Sequence, residues 1–196
     1  LSIQPSDSPF DLFQQWHDDA SDCGLDLPDA VTLATADAEG RPDARMVLLK
    51  GFDASGFVFY TNLGSSKAAQ LEANPHAALC FYWMPLRRQV RIQGPCEAVT
   101  NDEADAYFAS RPRDSQIGAW ASKQSQPLEG RFELEKRVLN YLGKYAVGKV
   151  PRPAFWSGFR LKPTAIEFWM EKKSRLHDRL RYTREGDDWT TEWLYP

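Results

Sequence analysis

Apolar positions fall into two rhythms along this chain. Near its start, Phe10, Phe13 and Trp16 recur at helical spacing behind Ser8-Pro9, which reads as an N-cap followed by proline at the first helical position. Gly24 lies beyond the end of that helix. From Ala30 the rhythm shortens. Residues 31–35, 45–50 and 57–60 read as strands, separated by turns at 39–42 and 53–56. Residues 65–73 read as a short helix ended by Asn74-Pro75. Two strands follow at 77–83 and 89–99, joined through Met84-Pro85-Leu86-Arg87-Arg88 as a hairpin, with Gly94-Pro95 marking a bulge or kink at a sheet edge. Thr100 and Glu103 have capping-box spacing and open a helix through Phe108. Residues 110–127 read as an irregular polar stretch. Residues 131–145 read as a helix with a broad apolar face of Phe132, Leu134, Val138, Leu139 and Leu142, and Pro151 and Pro153 end it. Strands return at 158–161, 165–170, 180–183 and 189–194. The pattern predicts a β-rich α+β protein, an antiparallel barrel or sandwich with helices around it, in one domain spanning residues 1–196.

Composition narrows the function classes. The chain has 196 residues, is 42% apolar and carries seven Trp, enough for a sizeable core. Its net charge of −3 argues against a general nucleic-acid binder. No apolar run approaches the roughly 20 residues that cross a membrane. Cys23, Cys80 and Cys96 have no CxxC spacing and fit reduced thiols in a cytoplasmic protein. His17, His76 and His177 are scattered, and no metal site is expected. Leu1 is no initiator methionine, so a processed, trimmed or engineered start is expected.

Cations cluster where chemistry is plausible. Read as extended backbone, Arg175, His177 and Arg179 share one face and form an anion site, against the plainer reading of a charged edge or turn. Arg45 and Lys50 sit at the two ends of one strand. Asn62-Leu63-Gly64-Ser65-Ser66-Lys67 offers backbone N–H groups, hydroxyls and a cation at a helix start, without the Walker A pattern. Arg111 and Ser115 can hold an anion, with Tyr107 one helical turn before Arg111. No nucleophile or acid–base carboxylate pair stands out. Dispersed anion sites without a nucleophile suit a protein whose chemistry a phosphorylated cofactor carries.

Taken in order, these segments resemble the pyridoxamine 5′-phosphate oxidase family. The resemblance rests on Arg45-Met46-Val47-Leu48-Leu49-Lys50, Phe59 to Gly64, Arg88-Gln89-Val90, Tyr107-Phe108, Ser110 to Ala119, Ser122 to Ser125, Ile166 to Trp169, and Arg175-Leu176-His177-Asp178-Arg179. It implies an FMN-binding split β-barrel, Greek-key-like, working as a homodimer with FMN at the interface. Strands from about residue 155 onward would contribute to dimerisation and to the active site. The implied reaction oxidises pyridoxamine or pyridoxine 5′-phosphate to pyridoxal 5′-phosphate, with O2 reduced to H2O2 and ammonia released from the amine. Implied FMN contacts are Arg45, Met46, Val47, Leu48, Leu49, Lys50, Tyr60, Thr61, Lys67, Gln89, Gln124, Ser125, Trp169 and Arg179. Implied substrate contacts are Lys50, Tyr107, Arg111, Ser115, Arg175, Leu176 and His177. Arg175 and His177 would position the reacting end.

The chain departs from the family at Ser66-Lys67, where the family usually has Arg before the Lys. Weaker FMN binding, or recruitment of another cation, is expected. The family's segment before the first helix, which can cover the substrate, is mostly absent from this sequence. Three rivals remain: a phenazine-pathway relative with the same FMN site, a non-catalytic flavin or pyridoxal-phosphate carrier, and a nucleic-acid module, which the net charge disfavours.

Overall fold

The computed structural model describes residues 2–196, so the expectation about Leu1 lies outside the described residues. The elements are α1 (Pro9–Asp22), β1 (Ala30–Ala36), β2 (Pro42–Leu48), β3 (Gly51–Asp53), β4 (Gly56–Asn62), α2 (Ser66–Ala73), β5 (His76–Trp83), β6 (Arg88–Ala98), α3 (Asn101–Ser110), α4 (Arg113–Ala121), α5 (Glu133–Lys144), β7 (Trp156–Leu161), β8 (Ala165–Met170), β9 (Asp178–Glu185) and β10 (Asp188–Trp193). All strand pairs are antiparallel. The strand order is β10-β9-β8-β6-β5-β1-β2, while β4 pairs with β3 and β7, and β7 returns to β6. The sheet therefore curls on itself through β6 and β7, as a split barrel does.

The corner lies at Gly94. β6 pairs with β8 through Gln93 and then with β7 from Cys96. A Cβ on Gly94 would stand 1.9 Å from the Lys162 carbonyl oxygen, so only glycine lets the two backbones cross there. The predicted kink is real, but its place at a sheet edge is not. β5 flanks the same residues on the other side, with Ala77 opposite Gly94 and His76 opposite Pro95.

α1 closes the core as the sequence predicts. The Ser8 hydroxyl accepts from the Phe10 backbone N–H. Phe13 is fully buried and meets Phe52, Phe57 and Phe81 edge-on, at 4.7, 5.0 and 5.2 Å between ring centroids. These rings sit on β3, β4 and β5, so one side chain ties the helix to three strands. Truncating it to alanine should cost about 3–5 kcal/mol. The alternation of β8 is equally plain: Ile166 and Phe168 point into the core, and Glu167 and Trp169 face outward with partial exposure.

Four expectations change. Residues 110–127 are not simply irregular, because α4 occupies Arg113–Ala121 and buries Gln116, Ile117 and Ala121. The second strand stops at Leu48, and a short β3 follows it at Gly51–Asp53. The extended reading of Arg175 to Arg179 fails. Lys173–Arg175 form a 3-10 turn, Ser174 and Arg175 have φ of 58° and 60°, and the strand starts only at Asp178. The alternation that put Arg175, His177 and Arg179 on one face therefore does not hold. Finally, the apolar face of α5 is not core in the single chain: Phe132 is 71% and Leu139 68% exposed, while Val138 packs inward.

Candidate active site

A cleft of about 670 Å³ opens between β2, β4, α2 and the α3–α4 corner. Of the residues singled out from the sequence, Met46, Val47, Leu48, Lys50, Tyr60, Thr61, Lys67, Tyr107, Arg111, Ser115 and Gln124 line it. They come from five separate stretches of sequence. The fold gathers them because β4 carries Tyr60 and Thr61 toward α2, while α3 lays Tyr107 on Tyr60 and ends at Arg111 over Trp156.

Lys67 is the buried cation of one end of this cleft, only 8% exposed. Its Nζ donates to Thr61 Oγ1 at 3.3 Å and to Gln124 Oε1 at 3.4 Å. No carboxylate lies within ion-pair distance of it among the described residues. Burial pushes its pKa below 10.5, and the charge of Arg45 adds to that effect. Ser65, the residue before α2, is 1% exposed and makes no side-chain cap; its hydroxyl lies 3.3 Å from Thr61 Oγ1. Gln124 gathers the loop after α4 onto this end, accepting also from Thr61 Oγ1 at 3.2 Å. Ser125, with φ of 67°, accepts from the Ser66 backbone N–H at 3.3 Å, beside the cleft rather than in its wall.

Arg111 is the cation of the α3–α4 corner. Its guanidinium lies over the Trp156 ring, 4.8 Å from the centroid, and its Nη1 is buried with no hydrogen-bond partner. Burial lowers its pKa, and no carboxylate pairs with it among the described residues. A buried N–H donor without a partner costs about 1–3 kcal/mol, so this geometry calls for an anionic ligand. Beneath it, Tyr60 stacks on Tyr107 at 4.0 Å and on Trp156 at 5.3 Å. Burial raises the pKa of both tyrosines, which keeps them as neutral O–H donors. Gly158, opposite Tyr60 in β7, makes room for this stack: a Cβ there would come 2.7 Å from the Tyr60 ring.

Sequence reasoning missed Trp156 of this lining, and it placed Asn62 and Ser122 in marked segments without giving either a ligand contact. Trp156 had a signal, an aromatic residue at the start of a strand just after Pro151 and Pro153. Nothing local announced that Arg111 would lie over it.

The remaining singled-out residues lie elsewhere. Arg45 is spent within the chain, donating to the Leu33 carbonyl, Thr35 Oγ1, Asp43 and Gln70. Leu49 is core, 3% exposed. Gln89, Trp169 and Arg179 form a second cluster: Gln89 pairs in register with Trp169, and Trp169 with Arg179, across β6, β8 and β9. The His177 ring lies 4.6 Å from the Trp169 ring, and its Nδ1 accepts from the Lys172 backbone N–H at 3.1 Å. Arg175 and Leu176 are exposed in the turn before β9. None of these lines the cleft.

The curled antiparallel sheet has the architecture of the split-barrel proteins. A solved FMN-binding protein from Nostoc punctiforme, related to pyridoxamine 5′-phosphate oxidase, shares the fold with TM-score 0.78 at 18% identity, covering 98% of this chain and 100% of its own. Residues 18–144 match the family described as pyridoxamine 5′-phosphate oxidase, and residues 156–196 match the pyridoxine 5′-phosphate oxidase C-terminal dimerisation region. The chain belongs to the pyridoxamine 5′-phosphate oxidase family. A pyridoxine/pyridoxamine 5′-phosphate oxidase of Chelativorans sp. is 59% identical over 96% of this chain and 90% of its own length. One from Rhodospirillum rubrum is 58% identical over 96% of each. The solved PhzG of Burkholderia lata, in complex with tetrahydrophenazine-1-carboxylic acid, superposes with TM-score 0.93 at 33% identity, over 98% of this chain and 95% of its own.

Proposed function

We propose that this chain is an FMN-dependent oxidase of pyridoxamine or pyridoxine 5′-phosphate, working as a homodimer. The observation that carries this reading is the presence in one cleft of two cations, the buried Lys67 and the half-buried Arg111 with its enclosed Nη1, that no carboxylate pairs with among the described residues. Two unneutralised cations suit two phosphates, one on the cofactor and one on the substrate. Full-length identity of 58–59% to relatives named for the two B6 substrates supports the choice of substrate.

Lys67, with the Thr61 hydroxyl and the Gln124 amide beside it, would hold the FMN phosphate. Arg111, with the Tyr107 and Ser115 hydroxyls, would hold the substrate phosphate, and Lys50 at the cleft edge would serve both ligands. Met46, Val47 and Leu48 present a strand backbone and apolar side chains along which a flat ring system can lie. FMN supplies, when bound, the two-electron acceptor that the side chains lack, and O2 takes the electrons on to H2O2. For the alcohol the carbon loses two hydrogens to become the aldehyde; for the amine, water then replaces nitrogen, which leaves as ammonia.

Gln89, Trp169, Arg175, Leu176, His177 and Arg179 belong to this reading through the second subunit. They lie on the outward sheet face and its flanking turn, and the family's dimerisation region covers five of the six. In a dimer, this face of one subunit would close over the cleft of the other. Arg175 and His177 would then hold the reacting end of the substrate, and Trp169, Gln89 and Arg179 would complete the cofactor pocket.

The test is to load the protein with FMN and add pyridoxine 5′-phosphate without oxygen. Bleaching of the flavin, with colour and H2O2 returning on aeration, is expected. Flavin that bleaches only with tetrahydrophenazine-1-carboxylic acid, or with neither B6 substrate, overturns the reading.

A further inference from the structure

Arg179, which would complete the cofactor pocket, needs its guanidinium aimed. An arginine on an outward strand face has several rotamers open to it and loses entropy when one is chosen. Two hydrogen bonds restrict this one, and a backbone bond fixes one of their acceptors. Its Nε donates to Glu167 Oε1 at 2.9 Å, across the β8–β9 pair. Its Nη1 donates to the Tyr195 carbonyl at 2.9 Å. The Tyr195 carbonyl is itself placed by the backbone of Arg179, whose own carbonyl accepts from the Leu194 N–H at 2.9 Å. Two of the three guanidinium nitrogens are thus engaged within the chain, and Nη2 is left to meet a ligand.

Glu167 is suited to this task. Its side chain is only 12% exposed, so its contact with Arg179 is less screened than a surface pair. The other carboxylate oxygen, Oε2, lies 3.5 Å from the more exposed Arg91 Nη1, a looser contact that leaves Oε1 to Arg179. Glu167 also stands two residues before Trp169 on the same face of β8, next to the aromatic residue of the same cluster. The carboxylate raises the pKa of Arg179, in line with a direct charge-assisted bond.

We propose that Glu167 is a positioning residue for the cofactor: with the Tyr195 carbonyl it clamps Arg179 so that one guanidinium nitrogen faces FMN. This rests on the reading of Arg179 as an FMN contact. The clamp belongs to the β8–β9 pair and the last residues of the chain, and it touches neither the substrate nor the cleft.

The measurement is the dissociation constant of FMN from the apo-protein, read by quenching of flavin fluorescence. Glu167→Gln should raise it about tenfold, the scale of one charge-assisted hydrogen bond. Glu167→Asp, which keeps the charge but withdraws it by one methylene, should raise it as well. Arg91→Gln removes the other cation on Glu167 and should leave it within about twofold, since Arg179 stays held. Melting temperatures of the apo-proteins separate loss of fold from loss of aim. Wild-type affinity in a folded Glu167→Gln, with Arg179→Ala clearly weakened, overturns the clamp alone. Wild-type affinity in Arg179→Ala overturns the reading of Arg179 and the clamp with it. Equal weakening in Arg91→Gln and Glu167→Gln also overturns the clamp, because general charge balance would then account for both.

Discussion

The cleft and the outward sheet face hold their cations in opposite ways. In the cleft, Lys67 is buried and Arg111 half-buried, neither has a carboxylate partner among the described residues, and the buried Arg111 Nη1 has no hydrogen-bond partner there. On the sheet face, Arg179 is bonded to Glu167 and to the Tyr195 carbonyl, and Arg91 is paired with Glu167. The first region stores one unsatisfied donor and a desolvated ammonium at a cost in stability that an anionic ligand would offset. The second is already satisfied and offers aim rather than hunger. Under the proposed shared site, the concave pocket of one chain and the pre-set flat face of the other would be its two halves.

The sharpest way to break that comparison is to mix variants. Arg111→Ala damages the cleft, and Arg175→Ala damages the outward face. Each alone should lower kcat/KM by about 100-fold or more, the cost of removing one partner of a buried charged contact. If the site is shared, a heterodimer of the two variants has one wholly intact site and one doubly damaged. Mixed after subunit exchange, equal amounts should regain about a quarter of wild-type activity, since half the dimers are mixed and each has one good site. No recovery in a mixture shown to exchange would mean that each chain completes its own site.

The same contrast explains what the sequence made legible. Elements with local signatures were readable: the Ser8 cap and Phe10–Phe13–Trp16 stripe of α1, the capping box of α3, the alternation of β8. α4 was missed because its signals conflict. Pro112 stands as its N-cap without a side-chain cap bond, Gly118 interrupts it, and its buried face is Gln116, Ile117 and Ala121. The turn at Lys173–Arg175 was misread because an alternating Arg-x-His-x-Arg pattern mimics a strand, while the positive φ of Ser174 and Arg175 leaves no mark in non-glycine residues. The ligand sets came from family resemblance. Residue types suggested anion binding at Lys67 and Arg111, but only the fold separates cations that are free from those that are spent. Arg45 and Lys67 look alike as strand- and helix-end charges. One is consumed by Thr35, Asp43 and Gln70, and the other is left open.

A second, smaller effect tests the stored cost at Lys67 through pH. Its folded-state pKa is depressed below 10.5 by burial, so between that lowered value and 10.5 the unfolded chain binds more protons. Apo-protein stability from this residue therefore rises with pH across that window. Affinity for FMN moves the other way, because loss of the ammonium charge removes the phosphate partner. Lys67→Met should weaken FMN binding by about 30-fold near neutrality and flatten the alkaline fall. The difference in melting temperature between wild type and Lys67→Met, followed over the alkaline range, reads the first effect, and fluorescence quenching reads the second. An FMN affinity as steep with pH in Lys67→Met as in wild type would show that Lys67 does not face the phosphate.

The smallest expected effect concerns Ser66, where the family usually carries arginine. Ser66 is exposed at the first position of α2; its N–H donates to Ser125 Oγ, and its side chain makes no hydrogen bond among the described residues. Replacing its side chain therefore breaks nothing that the chain now makes. Ser66→Arg adds a third cation beside Lys67 and Arg45, two charges that already repel each other. In the apo-protein that repulsion should lower the melting temperature slightly. With FMN bound, a phosphate dianion should draw the new guanidinium in, and affinity should rise about threefold to fivefold, as for a partly exposed charge pair. The change of sign is the useful part. A helix-start effect from the substitution alone would move apo and loaded protein in the same direction, whereas a phosphate at this end of the cleft makes Ser66→Arg destabilising without FMN and stabilising with it. Thermal melts of the two forms, run side by side, decide between them.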